Sequence, residues 1–532
     1  MALAFADINN YGLPLRMIGE GSYGQVWITD RNYVLKIIQN EENVPSKASL
    51  FEIVSPLKVI SPYVISLIDV NISPDFTVLI LPLANGSLDR YMTSPALDVK
   101  KIITQLCLGV ADIHNANLLH LDLKPENILL HGIPGPGRES EGNIWIADLG
   151  LSRIHTCAFP PLIEEFFTLY YRSPEIALGG PVTAKGDVWA IGVIMAELLL
   201  AQRTGSFKRL FRGITDDSTL LLSIVALLGS PGPGSYLRTL PGWTKSYQRR
   251  KGNVLKYFSD NGLSLEEINI ILRCLTLDYN QRPSVFEILQ DPWFGLVQPP
   301  VELTCRQALR IYEHSPPNTW SRMDARMAVI IWLIGLKKRV RSSNESLSLA
   351  IYLFDRWASL FGFSSPLDIQ LTALAGYFIG VAFYDAYYFN INDTTILGDR
   401  IYSAQQLATR VNDILRATSF DLAVTTSYIF LSQSLLGQYG FGEISKVIWQ
   451  ASLLTSHHFS PPEQVADDIL SIADERLLIT STAINLIDQI LDLPVIPSQP
   501  GQITISTIIP FYIRDYLIER RNSFSLLGIN YN

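Results

Sequence analysis

Residues 120–130 read HLDLKPENILL and bring Asp122, Lys124 and Asn127 together ahead of an apolar run. Taken alone, the acid and the amide are ordinary turn formers or helix caps. Downstream, IADLGLS (146–152) adds Asp148, which has the same ordinary explanation. Upstream, GEGSYGQV (19–26) carries glycines at 19, 21 and 24 between strand-like stretches. A close backbone approach to phosphates needs residues without Cβ, but a plain hairpin turn explains those glycines equally well. YVLKII (33–38) places Lys36 on a strand, where a single lysine reads as an edge charge. ENVPSKASLFEIV (42–54) opens with a Pro-Ser helix start and places Glu52 on the helix, where it reads as a solvated charge. What separates these five stretches from five coincidences is their order and spacing.

In that order and spacing they resemble a eukaryotic protein kinase from about residue 13 to 297. TLYYRSPEIALGG (168–180), DVWAIG (187–192, with Asp187) and QRPS (281–284) resemble further marks of that family. The resemblance implies a structural buried ion pair between Glu175 and Arg282. It also implies that Lys36 holds the α and β phosphates of ATP and is oriented by Glu52. Asp148 and Asn127 are then the Mg2+ ligands, Asp122 accepts or orients the proton of the substrate hydroxyl, and Lys124 steadies the γ-phosphate. Ile18, Gly19, Glu20, Gly21, Ser22, Tyr23, Gly24 and Val26 would line the nucleotide together with Lys36 and with Leu81, Leu83 and Ala84 at the hinge. DLKPEN, with Lys124 after the acid, resembles Ser/Thr rather than Tyr kinases.

Two positions depart from the family pattern beside these residues: Leu121 stands where an arginine is usual and Leu149 where a phenylalanine is usual. The activation-loop phosphoacceptor position of cyclin-dependent kinases falls on Ile163, and the helix arginine before the glutamate is Phe51. Of three phosphate-clamping arginines only Arg153 is kept. A phosphate without its arginines would be repelled by Glu164 and Glu165. Activity without activation-loop phosphorylation is therefore expected.

VPSKASLFEI (44–53) resembles the PSTAIRE helix of cyclin-dependent kinases with one extra residue before the glutamate, and FKRLFRGITDDSTLL (207–221) is also most like that group. In that family a cyclin pushes the helix inward so that the glutamate reaches the lysine. The C-terminal half resembles such a partner over about 320–440. MDARMAVIIWLIGLKK (323–338) resembles the first helix of a cyclin box through Arg326 and Trp332, and Asp355-Arg356-Trp357 matches its Asp-Arg-aromatic. DIQLTALAGYFIGVAFYDAYY (368–388) and YSAQQLATRVNDILRATSFDLAV (402–424) follow in the family's order. Phe383 and Val411 replace a lysine and a glutamate through which cyclins engage the kinase. Either a greasier, permanent contact or a surface that no longer docks follows from that change. Ala325 and Ala328 reduce the family's substrate-docking patch, although Trp332 remains. A generic helical bundle is the alternative for this half.

The fold expected is an α+β bilobal protein kinase, with a β-sheet and helix C in the N-lobe (1–85) and a helical C-lobe (86–297). A linker (298–320) stiffened by Pro299-Pro300, an all-α cyclin-like domain (321–490) and a tail (491–532) follow. Helices are expected at 322–340, 344–362, 366–385, 403–419 and 422–438, with one near 509–521. Strands are expected at YVLKII, VISLIDV (64–70) and FTVLILPL (76–83). A linker that spans the gap sets an effective concentration of about a millimolar, so a kinase fused to its own cyclin would be assembled whenever folded.

The bulk numbers bound the function classes. With 532 residues, 48% of them apolar, two or three domains with real cores fit, and global disorder does not. The net charge of −8 argues against a broad nucleic-acid surface. Cys107, Cys157, Cys274 and Cys305 show no paired spacing, which fits a reducing compartment. No signal peptide is visible. The apolar stretches at 187–201 and 370–384 fall short of the roughly 20 residues a spanning helix needs and read as buried core helices. Partners are thus protein substrates and an intramolecular cyclin-like domain, without nucleic acid or membrane. The expected setting is the cytoplasm or nucleus, including the host cell of a large DNA virus. Arg172 matches the position linked to proline after the phosphoacceptor, and Ser22 and Tyr23 match sites of inhibitory phosphorylation. Two rivals stay open: a pseudokinase scaffold whose helical half recruits partners, and a kinase with a docking module like the cyclin-fold proteins of transcription.

Overall fold

The structure, a computed structural model, describes residues 9–21, 24–40, 44–154, 168–248, 250–295, 297, 300–303, 323–385, 390–398, 400–422, 424–434, 441–473, 481–491, 493 and 516–518. The chain divides into two compact units, Met1–Gln39 with Ala48–Leu303 and Asn40–Lys47 with Thr304–Asn532. Ser22, Tyr23, Ile163, Glu164, Glu165 and most of the helix expected near 509–521 lie outside the described residues.

The first unit begins with an antiparallel sheet of β1 (Pro14–Gly21), β2 (Gly24–Thr29), β3 (Tyr33–Gln39), β4 (Asp69–Ile72) and β5 (Phe76–Pro82), ordered β1-β2-β3-β5-β4. The β-branched and aromatic content of YVLKIIQ and FTVLILP suits a pleated, half-buried surface. Leu35, Ile37, Val78 and Ile80 pack on one face, with Trp27, Tyr33 and Phe76 around them. Residues of the other parity share the opposite face. There the register runs Gly19–Val26, Val26–Lys36 and Lys36–Leu79 across four strands. Cross-strand partners are near neighbours, so Gly19, Val26 and Lys36 form one row.

The strand expected over VISLIDV is only partly formed, since β4 begins at Asp69. Val64 instead makes an isolated parallel bridge with Ile146, where the Ile65 amide donates to the Ile146 carbonyl (2.9 Å). The apolar run is spent joining the sheet lobe to the helical lobe. Helix α1 (Lys47–Lys58) carries Glu52 and contains Pro56 in its last turn, where the proline removes one N–H from the helical ladder.

The helical lobe is built on α2 (Val99–Asn115), capped by Asp98, and on the helix Ala184–Thr204, which is buried along most of its length. Capping boxes at Asp216/Thr219, Ser264/Glu267 and Ser284/Glu287 start three further helices. Glu175 and Arg282 form the expected pair, two parallel bonds of 2.8 and 2.9 Å with both side chains fully buried. Short strands absent from the mostly helical expectation also occur. Ile128–His131 pairs with Asn143–Ile146 in a hairpin, with Ile128 opposite Ile146. That register brings Asn127 and Asp148, just outside the two strands, to the same end of the hairpin.

The second unit is helical among its described residues. Helices Met323–Val340, Asn344–Phe361, Pro366–Tyr384 and Ala404–Ala417 match the expected spans to within two residues at either end, and Ser427–Ser434 occupies the middle of the fifth. Phe441–Ser452, Pro462–Ala473 and Ser481–Leu491 extend the bundle. Pro366–Tyr384 is the one described helix long and apolar enough to cross a membrane, and 72% of its most apolar window is buried, as a core helix should be. Arg326 and Asp355 form a second fully buried bidentate pair (both bonds 2.8 Å), with Arg326 Nη1 also donating to the Leu453 carbonyl (2.7 Å). Phe383 and Val411 are buried, Ala328 is exposed and Trp332 half-buried.

Candidate active site

The site is assembled from the sheet face, α1 and two turns of the helical lobe. Lys36 Nζ donates to Glu52 Oε1 on α1 and, at 2.8 Å, to Asp148 Oδ1. The three residues predicted from separate stretches therefore form one cluster. Burial alone would lower the Lys36 ammonium, but the Glu52 and Asp148 carboxylates outweigh it and hold it above the ordinary lysine range. Asp148, likewise opposed by burial, is held well below the usual carboxylate range by Lys36. Glu52 is pushed up, chiefly by burial and also by Asp148, against the pull of Lys36. Two carboxyl groups thus share one ammonium, and Glu52 is the more deeply buried of the two.

A second group surrounds Asp122. Lys124 Nζ donates to Asp122 Oδ2 (2.6 Å), and Asn127 Nδ2 donates to the Asp122 carbonyl (2.9 Å) and to Oδ2 (3.2 Å). Thr168 adds two donors that the sequence did not single out, its amide (3.0 Å) and its hydroxyl (2.8 Å), both to Asp122 Oδ1. Its hydroxyl also accepts from Lys124 (3.1 Å). The only sequence signal for Thr168 is a hydroxyl at the head of TLYYRSPE, too small a mark to find by spacing. Thr168→Val should lower kcat about 10- to 100-fold with little change in KM for ATP, because one hydrogen bond to a charged group is lost. Steady-state kinetics on a peptide substrate reads this directly.

Asp187 organises the backbone beneath. Fully buried, it accepts from the amides of His120 (3.0 Å) and Leu121 (3.0 Å) and bonds His114 Nε2 (2.9 Å). These bonds hold Leu121 at φ +66, left-handed backbone that a branched residue seldom adopts. Asp148 is also left-handed, at φ +65. Leu121 packs with Leu119 and Ile176, and Leu149 is fully buried, so both departures from the family pattern are core residues. Arg172 donates to both carboxylate oxygens of Asp217 (2.8 and 3.0 Å).

The residues fit Mg-ATP. Asp148 keeps about a third of its side chain exposed although Lys36 holds it. With Nδ2 given to Asp122, Asn127 has Oδ1 to offer, so the pair supplies hard oxygen donors suited to Mg2+. When bound, Mg2+ supplies positive charge that offsets the phosphate oxygens. The row Gly19, Val26 and Lys36 forms one wall, and Gly19 is open. A Cβ built there meets only Val26, at 3.9 Å. Gly24 differs. At φ +137, its Cβ would lie 2.0 Å from the Ile37 carbonyl oxygen, so the sheet itself demands glycine there. Leu81 lies opposite Val34 on β5, and Leu83 and Ala84 follow the strand's end, half-buried. Ile18 is partly exposed beside a register shift, and the Glu20 carboxylate accepts from the Gln25 side chain (3.4 Å).

A lysine tied to a helix glutamate, an acid beside a second lysine, and an Asp–Asn pair at one hairpin end define a phosphotransferase site of the protein-kinase class. Comparison with known families agrees: the protein kinase domain matches residues 14–294, and the N-terminal domain of cyclins matches 302–423. The chain belongs to the protein kinase family, and its relatives are cyclin-dependent kinases. It is 31% identical over 312 residues to cell division control protein 2 homolog D of Antirrhinum majus, covering 53% of this chain and 93% of that protein. Cyclin-dependent kinase B2-1 of Arabidopsis thaliana is 32% identical over 312 residues, with 53% and 92% covered. The chain is thus a cyclin-dependent-kinase-like domain followed in the same polypeptide by a cyclin-like domain.

Proposed function

We propose that this protein is a serine/threonine kinase that transfers the γ-phosphate of ATP to Ser/Thr-Pro sites, is activated in cis by its cyclin-like domain, and works without activation-loop phosphorylation. The observation that carries the reading is the formed cluster Lys36–Glu52–Asp148. It is the arrangement a catalytically competent helix α1 requires, and it argues for an enzyme over a nucleotide-free scaffold. Asp122 is positioned to take or orient the hydroxyl proton, held by Lys124 and Thr168. Lys36 binds the non-transferred phosphates, Lys124 the transferred one, and Asp148 with Asn127 the Mg2+.

Activation in cis is supported by the two family matches standing next to each other, one ending at 294 and the other beginning at 302. At the effective concentration of about a millimolar that a short tether sets, even a micromolar contact is nearly saturated. Loop independence is supported by Phe51 and Leu121, both buried, where arginines would hold a phosphate. Proline direction rests on Arg172 alone, and a cytoplasmic or nuclear setting on the unpaired cysteine spacing.

The test compares full-length protein, shown by intact mass to carry no phosphate, with residues 1–303 on Ser-Pro and Ser-Ala peptides. Full-length protein should be active and prefer Ser-Pro. The truncated unit should lose at least about tenfold and regain activity when 304–532 is added in trans. A fully active 1–303, or no preference between the peptides, overturns the corresponding part of the reading.

A further inference from the structure

The residue beside Glu52 is tied to the turn after Asp148 by a second, separate contact. The Arg153 guanidinium carbon lies 4.7 Å from the centre of the Phe51 ring, and Phe51 and Arg153 are 2% and 6% exposed. Arg153 Nη1 also donates to the Ser152 carbonyl (2.7 Å) and reaches the Gly150 carbonyl (3.5 Å). The cation is therefore bracketed by the turn that Asp148 opens, with one face on an aromatic ring of α1. A buried guanidinium is attracted to such a face, and the attraction grows as water is excluded.

We propose that Phe51 and Arg153 are a positioning pair that holds α1 in its working orientation and does so in place of a phosphate. Two successive helix residues point about 100° apart. Glu52 fixes α1 to Lys36 and Asp148, and Phe51 fixes it to Arg153 a few residues further along the same turn. One anchor sets how close the helix lies. Two non-parallel anchors also set its rotation, and rotation decides whether the Glu52 carboxylate meets Lys36. Neither Phe51 nor Arg153 touches a reacting atom. Leu121, which packs with Leu119 and Ile176, brings no second cation to this side. Arg153 rests on a ring that is always present, so a permanent contact stands where a phosphate would provide a switch. This deepens the proposed loop independence and rests on that reading.

The experiment uses full-length protein free of phosphate and compares wild type with Phe51→Ala, Phe51→Tyr, Arg153→Met and Phe51→Ala/Arg153→Met. Hydrogen exchange over residues 47–58 and kcat with KM for ATP are measured on each. Exchange in α1 should rise about tenfold in Phe51→Ala and in Arg153→Met, and kcat should fall about tenfold with a smaller change in KM. Phe51→Tyr, which keeps the ring, should stay within about twofold of wild type. The double variant should be no worse than either single one, because both remove the same contact. Unchanged exchange in Phe51→Ala, equal damage in Phe51→Tyr, or additive losses in the double variant overturn the pair. If wild type is inert while exchange follows the expected pattern, the pair stands and the loop-independent reading falls.

Discussion

Asp122→Asn lowers phosphotransfer by about 100- to 10,000-fold and leaves nucleotide binding within about twofold. The size follows from what a positioned proton acceptor contributes. The selectivity follows from geometry, since Asp122 is bonded to Lys124, Asn127 and Thr168 but not to Lys36 or Asp148. Asparagine fills the same volume and can still accept from Thr168, so the turn should keep its shape. It cannot take a proton or balance the charge on Lys124. Peptide phosphorylation together with titration of a fluorescent ATP analogue separates the two effects. An Asp122→Asn enzyme above a tenth of wild-type kcat would remove Asp122 from its assigned role and reopen the scaffold alternative.

The second large effect belongs to the cyclin-like unit. Arg326→Ala should destabilise that unit by about 3–5 kcal/mol, the usual cost of stranding one partner of a buried pair. Asp355 then loses two bonds of 2.8 Å in a place water does not reach. Replacing both partners, as in Arg326→Met/Asp355→Leu, should cost much less, because no charge is left stranded. Thermal unfolding of full-length protein should show a transition that drops in the single variant and largely recovers in the double. Under activation in cis, kinase activity should be lost over the same temperature range. A single variant as stable as wild type would mean that the carboxylate finds another cation or a proton.

The residues that could be read from the sequence are those whose chemistry tolerates no substitute. Lys36, Glu52, Asp122, Lys124, Asn127 and Asp148 are an ammonium, a carboxylate or an amide at positions fixed by charge, and the structure brings them together in two adjoining groups. Thr168 was missed because a hydroxyl at a loop end looks like any other turn residue. The short strands of the helical lobe were missed for a different reason. Two to four residues carry too little alternation to stand out from an apolar helix, and their pairing is settled by distant partners such as Ile128 with Ile146. VISLIDV failed as a full strand because Tyr63 and Ile65 give their backbone groups to Ile146 instead of to the sheet. In the helical half, long spans with a clear start and stop came out nearly complete, the uniformly apolar Pro366–Tyr384 as well as the amphipathic Ala404–Ala417. The fifth expected helix starts late, at Ser427, five residues after its predicted start at Leu422.

The crowding at Gly24 has a bearing on how such chains decay. Its lack of a side chain answers to the neighbouring strand, whereas Gly19 answers only to whatever occupies the cleft. A descendant that abandoned ATP would keep the former under pressure to fold and be free to vary the latter. Of the two, Gly19 alone reports on whether a copy of this chain still handles nucleotide.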